Sequence, residues 1–361
     1  MIKSIKKGFL SVLGILALLI AVVVIENYRE ATLRDRKYDS PTLTAKDKRN
    51  IREALILKQT LGDKIWPHLS KANIPIILFN DQYEFLTNHS TPPDNWSPVK
   101  KDRIDHSIYY RKTVDKPQNF VVKVDDKWAG SLATFDRLNR EYYLGVRKEL
   151  PPFIAQLYPY QYASVSTDLY IVTLLNEIFH AYQAEFYSKQ FNQATESLKY
   201  GSYYPYVDPN TTKLWNKEGY YLWKASHSEN PDTIISNTKK FLTIREERRK
   251  QANLSPQLIR YEQNMEWLDG LAKYSEIKFY ELSARQSPAS SLVYFHINHP
   301  QWKQEYSDLK NKLGHQKDEF RFHLSGMAQA EILDKLLPNW KVTLSIQQES
   351  LEDLLRLALN S

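Results

Sequence analysis

Residues 164–187, SVSTDLYIVTLLNEIFHAYQAEFY, keep a helical period while being apolar on nearly every side. The exception is one polar stripe made by Thr173, Asn176, Glu177, His180 and Gln183. A helix that is apolar on its other faces has to be enclosed by protein. Inside a protein, a carboxylate and an imidazole are costly unless they are paired, hydrogen-bonded or bound to metal. The chain therefore needs a core large enough to surround this helix and partners for the stripe. Its 361 residues, 42% hydrophobic and 25% charged, supply such a core and argue against disorder. One large domain or two modest ones would both satisfy that demand.

Charge and cysteine usage remove several classes of function. The chain has 49 basic against 42 acidic side chains. Three of the lysines, Lys3, Lys6 and Lys7, precede the first apolar segment, so the remainder is close to balanced and gives no footprint for nucleic acid. There are no cysteines, which excludes disulfides, thiolate metal ligands and a cysteine nucleophile. Gly8 to Ile25, GFLSVLGILALLIAVVVI, is uncharged and near the roughly 20 residues that cross a bilayer core. The residues after it, Glu26, Asn27, Tyr28 and Arg29, offer no small-x-small cleavage site, so an uncleaved anchor is expected. Lys3, Lys6 and Lys7 favour a cytoplasmic start and an extracytoplasmic bulk, although Arg29, Arg34, Arg36 and Lys37 nearly balance them.

The spacing predicts an anchor over 1–27, a polar stem over 28–44 and one folded domain over 45–361. Residues 45–70 carry a helical period through Ile51, Ala54, Leu55, Leu57 and Leu61, and IPIILFN at 74–80 reads as a short strand. Ser107 to Thr134 alternates, with Asp125-Asp126 as a hairpin turn. From Ser164 onward helices dominate, and the stretch GSYYPYVDP reads as a loop. Ser350 and Asp353 have capping-box spacing ahead of a final amphipathic helix. Strands first and helices afterwards predict an α+β fold, mainly helical with a small sheet, behind an N-terminal transmembrane helix.

On the polar stripe, Asn176 and His180 lie four apart, and Glu177 and His180 three apart, so all three project from one side of successive turns. That is the geometry of H-E-x-x-H, where two histidines hold zinc and the glutamate is general base, with asparagine in place of the first histidine. A second constellation lies in YEQNMEWLDGLAKYSEIKFYEL, residues 261–282. There Glu266 and Asp269 are one turn apart, and Gly270 implies close packing of a neighbour. A carboxylate from such a second helix is a common third zinc ligand. Glu266 reads equally well as a surface acid, and Asp269 before Gly270 as a helix irregularity.

NEIFHAYQ followed by EWLDGLAKY resembles the gluzincin class of zinc metallopeptidases, particularly bacterial envelope proteins with H-E-x-x-H-x-x-Q and a later W-x-E-G-L-A-x-Y. The resemblance runs from GDKIWPHLSKANIPIILF at 62–79 to GMAQAEILDKLLPNWK at 326–341. It implies a zincin-like fold, amide-bond hydrolysis, Glu177 as general base, His180 as a zinc ligand and Asp269 as the third ligand. Asn176 stands at the remaining ligand position. A neutral amide oxygen is a poor zinc donor, so zinc is expected to bind weakly. The bland reading of Asn176, Glu177, His180 and Asp269 is a buried hydrogen-bonded network in a domain that binds a peptide or envelope component without catalysis.

Elsewhere, His323 in EFRFHLSGMAQ is a candidate catalytic group, able to steady an oxyanion as cation or donor, though beside Phe320 and Phe322 packing is the commoner role. His296 and His299 in FHINHP lie next to Pro300, which predicts a loop. REERRK at 245–250 reads as a solvated helix face. Trp128 to Leu132 reads as a sheet edge that could take up an extended peptide. No G-x-S-x-G elbow supports a serine hydrolase.

Overall fold

A computed structural model describes residues 14–29, 37–114, 116–158, 163–286, 295, 299–316, 318–347 and 349–360. Lys3, Lys6, Lys7, Arg34, Arg36, His296 and the first part of the expected membrane segment lie outside these residues. In chain order the helices are α1 (14–29), α2 (Ala45–Ile65), α3 (Phe135–Glu149), α4 (Pro152–Leu157), α5 (Thr167–Phe186), α6 (Ser188–Ser197), α7 (Pro209–Ser226), α8 (Pro231–Gln251), α9 (Pro256–Met265), α10 (Leu271–Gln286), α11 (Pro300–Lys312), α12 (Phe320–Leu336), α13 (Trp340–Gln347) and α14 (Leu351–Asn360). The strands are β1 (Ile76–Phe79), β2 (Tyr83–Thr87), β3 (Ser97–Pro98), β4 (Tyr110–Thr113), β5 (Phe120–Val124) and β6 (Lys127–Ala133). The chain is thus mainly helical with a small sheet, the expected α+β class. No helix among the described residues is long and apolar enough to cross a membrane.

The chain divides into two compact, interleaved units: residues 1–49, 77–118 and 132–170 form the first, and residues 50–76, 119–131 and 171–361 the second. In the first unit β4 lies between β3 and β2, both antiparallel to it, with Tyr83 opposite Thr113 and Leu86 opposite Tyr110. The Phe135 amide at the start of α3 donates to Asp47 Oδ1 at 2.9 Å, so a carboxylate satisfies one of the orphan N–H groups of that helix.

The second unit contains every residue of the polar stripe. Its β5–β6 hairpin turns at Asp125-Asp126, with Asp125 at φ 53° accepting the left-handed conformation that the tight turn needs. The Gly130 amide also donates to Pro75 O at 3.1 Å, so β6 is hydrogen-bonded on both sides and is not the open edge its sequence suggested. Around α5 the core is aromatic. Trp66 sits edge-on to Phe179 at 5.3 Å and to Trp340 at 5.4 Å, and its Nε1 donates to Tyr187 Oη at 2.9 Å. The capping box at α14 is formed: Ser350 Oγ donates to Asp353 Oδ2 at 2.6 Å, and the Asp353 amide donates to Ser350 Oγ at 3.2 Å.

REERRK corrects another expectation. Arg245, Arg248 and Arg249 point inward and are buried. Arg245 Nε meets Glu218 Oε2 at 3.0 Å and its Nη1 meets Glu266 Oε2 at 2.9 Å. Arg248 binds Glu218 and Glu262, and Arg249 joins Glu262 at 2.7 Å to Glu352 at 2.8 Å. Glu266 is therefore a core acid and not a surface one. A charge run reads as solvated until acids from other helices close over it, and these come from α7, α9, α14 and the turn after α9.

Burial opposes ionisation of Glu352, but Arg249 and Arg245 outweigh it and hold its carboxyl down at about 2. Arg248 and Arg249 likewise depress Glu262 against the cost of its burial. Stability from these depressed groups is fully present above the ordinary glutamate range, near 4.5, and is lost as pH falls through about 2 for Glu352. Acid titration of unfolding free energy should show a limb across that window, and Glu352→Gln should flatten it. An unchanged limb in the variant would rule Glu352 out as its source.

Candidate functional site

The stripe on α5 faces a turn that is wider than α-helical. Glu266–Gly270 forms one π turn between α9 and α10, the kind of local widening that often serves a site. It swings Asp269 toward α5 and leaves Gly270 against α12. A methyl group on Gly270 would lie 2.6 Å from Gly326 Cα, and one on Gly326 would lie 2.4 Å from Glu266 O, so backbone meets backbone here. The close packing expected at Gly270 is thus supplied by α12. On the other side, a methyl on Gly130 would lie 2.7 Å from Glu177 O, so β6 rests directly on α5 beside the candidate base.

These contacts bring four of the five expected site residues together. His180 Nε2 lies 3.8 Å from Asp269 Oδ1, and His323 Nε2, on the first turn of α12, lies 3.7 Å from Asp269 Oδ2. Glu177 feels the charge of Asp269. Asn176 is turned elsewhere: its Nδ2 donates to Glu276 Oε2 at 3.2 Å. Glu276 in turn pairs with Lys273 at 3.1 Å, and Lys273 reaches Glu305 at 3.5 Å.

His180 is held in a defined way. Its Nδ1 lies 3.0 Å from Gln183 Oε1, an acceptor, so Nδ1 carries the proton and the Nε2 lone pair faces Asp269. Gln183 is itself anchored, its Nε2 donating to Trp267 O at 3.0 Å and to Leu268 O at 3.2 Å. Phe120 covers the imidazole edge-on at 4.7 Å. The Phe120 amide donates to Glu177, and Phe120 adopts φ 104°, a strained value for a bulky residue.

Burial shifts every titratable group of the cluster toward its neutral form. Burial raises the Glu177 carboxyl well above its usual range, helped by Asp269 and Glu276, and its Oε2 is buried without a partner. Burial and then Glu319 push Asp269 up to about 7. Burial holds His180 down at about 4. His323 is also lowered by burial and by Lys273 and His180, although 31% of its side chain remains exposed. Burial thus disfavours the charged form of both imidazoles, and the partly exposed His323 faces Asp269 as a hydrogen-bonding group.

Among the described residues no group of three or more His, Asp and Glu side chains could hold a metal ion. Of the three expected ligand positions, His180 and Asp269 face each other, while the amide of Asn176 is engaged by Glu276. His299 caps α11 through Nδ1, which accepts from the Gln301 amide at 3.2 Å.

Residues that the sequence reading missed are Phe120, Lys273, Glu276 and Glu305. Asp269, Lys273 and Glu276 recur at helical spacing along one face, a legible signal. Phe120 left none, because its role depends on backbone conformation. No protein-family model, curated protein or solved structure matches this chain.

Proposed function

We propose that the protein is a membrane-anchored, metallopeptidase-like protein whose second unit keeps the acid–base side chains of a zincin-type site and lacks part of its metal-holding set. The observation that carries this reading is the convergence of Glu177, His180 and Asp269 from α5 and the π turn, with His323 arriving from α12. These are the residues that the resemblance to N-E-x-x-H and the later D-G-L-A-K-Y singles out. With Asn176 committed to Glu276, the function favoured is binding of a peptide or envelope component, reached from the exposed edge of His323. A second reading, metal-assisted amide hydrolysis with Glu177 as general base, draws support from the unpartnered Glu177 Oε2 beside Asp269. Burial, Asp269 and Glu276 all raise the Glu177 carboxyl, the direction in which a general base is tuned.

The anchor belongs to α1 and the apolar residues before it. Ile15, Leu18 and Leu19 are each more than half exposed, as suits a helix whose surroundings are lipid. The protein should fractionate with membranes, and protease added to spheroplasts should degrade the part after residue 40. Protection would reverse the orientation, and a soluble form starting near residue 26 would show a cleaved signal.

For the site, the purified protein should show no stoichiometric zinc and no amide hydrolysis above that of Glu177→Gln. Peptide binding should weaken in His323→Ala. Hydrolysis that disappears in Glu177→Gln with the fold intact would replace binding by catalysis.

A further inference from the structure

The first unit carries an apolar patch beside the end of α1. The patch centres on Phe153, 74% exposed, and Ile154, 48% exposed, both on α4. An exposed phenyl ring of this degree, next to another large apolar side chain, is unusual on a surface that meets only water. The patch is fixed relative to α1. Asn27 Nδ2 donates to Gln156 O at 2.7 Å, and Val24, Asn27 and Tyr28 share a cleft of about 480 Å³ with Arg147, Pro152 and Ala155. The last turn of α3, just before α4, is basic through Arg147 and Lys148.

The geometry points to α4 as a second membrane contact, a short wedge that rests in the headgroup layer of the bilayer that holds α1. This rests on the reading of α1 as an anchor. Residues 24–28 are the end of the apolar segment, where a spanning helix leaves the hydrocarbon, and α4 is joined at that level. Phe153 and Ile154 supply the apolar face of an interfacial helix, and Arg147 and Lys148 supply cations for anionic headgroups. Pro151 and Pro152 start the helix with little conformational freedom left to lose on binding. A bilayer accounts for both apolar surfaces and the adjacent cations together, whereas a protein partner on α4 would leave α1 uncovered.

Because the chain has no cysteine, a single introduced thiol can be labelled uniquely. The full chain would be reconstituted into phosphatidylcholine vesicles with and without phosphatidylglycerol. An environment-sensitive fluorophore would be placed in turn through Phe153→Cys, Leu19→Cys on α1 and Val207→Cys, an exposed position in the second unit. The expected result is a blue shift at 153 and quenching there by headgroup-proximal spin-labelled lipid, with quenching at 19 and none at 207. Arg147→Gln with Lys148→Gln should reduce the extra quenching that phosphatidylglycerol gives at 153.

Quenching at 19 without quenching at 153 would overturn the wedge and leave the anchor standing. Quenching at neither would remove both. A blue shift at 153 that grows with protein concentration and is not quenched by lipid would assign the patch to a protein contact, and the wedge would fall.

Discussion

Replacing Asn176 by histidine is expected to convert weak zinc binding into stoichiometric binding. Position 176 lies one helical turn before His180 on the same face, and Asn176 Nδ2 already donates to Glu276 Oε2 at 3.2 Å. A carboxylate in that place is what commonly orients a ligand imidazole, accepting from one ring N–H while the other nitrogen faces the metal. His180 is presented in just this manner by Gln183, with Nε2 3.8 Å from Asp269. The substitution therefore exchanges a poor amide donor for an imidazole and brings the protein donors to three.

The gain in affinity should exceed the roughly 10–100-fold that outer-shell changes produce. With zinc at about 100 times its dissociation constant, the variant should gain about 2.7 kcal/mol of stability. Titration against a competing chelator, with unfolding followed in parallel, measures both. Tight zinc in the unsubstituted chain would refute the view that Asn176 cripples the site. No zinc response in a folded Asn176→His variant would mean that the ligand geometry is absent.

The largest loss of stability is expected from Arg245→Met. Arg245 is fully buried and contacts Glu218, Glu266 and Glu352. Burial works against its charge, but the three carboxylates outweigh that penalty and hold it protonated. Removing one partner from a buried ionic cluster typically costs about 3–5 kcal/mol, because the opposite charges remain without compensation. Glu266 would then keep Ser325 Oγ, at 2.6 Å, as its hydrogen-bond donor. Adding Glu266→Gln should recover part of the loss, and denaturant unfolding of the single and double variants measures the coupling. A loss below about 1 kcal/mol would place the cluster among exposed ion pairs, which contribute little.

The α+β class, the apolar helix with its stripe, the hairpin at Asp125-Asp126 and the final capping box were legible because each depends on residues close in sequence. The proximity of His180 and Asp269 was anticipated only through the resemblance to the gluzincin motifs, since spacing within each helix does not say which two faces meet. What escaped were properties made by distant chain segments. REERRK reads as solvated until Glu218, Glu262, Glu266 and Glu352 surround it, and those acids span four different elements. Trp128 to Leu132 looks like an edge until Pro75 and β5 occupy both its sides. The lowered proton affinity of His323 follows from neighbours that folding assembles, and no local pattern encodes them.

Backbone contact at Gly270 and Gly326 sets the mechanical character of the site. At the two glycines no side chain separates the π turn from α12, so the backbones act there as a bearing of zero thickness and cannot be pressed closer. His323 and Asp269 ride on opposite halves of that bearing. Their separation can therefore change by rotation of the two side chains, while the hydrogen bond from Ser325 Oγ to Glu266 opposes sliding of α12 along the turn. A ligand that enters at the exposed edge of His323 would therefore reach Asp269 across a crossing whose spacing the two glycines set.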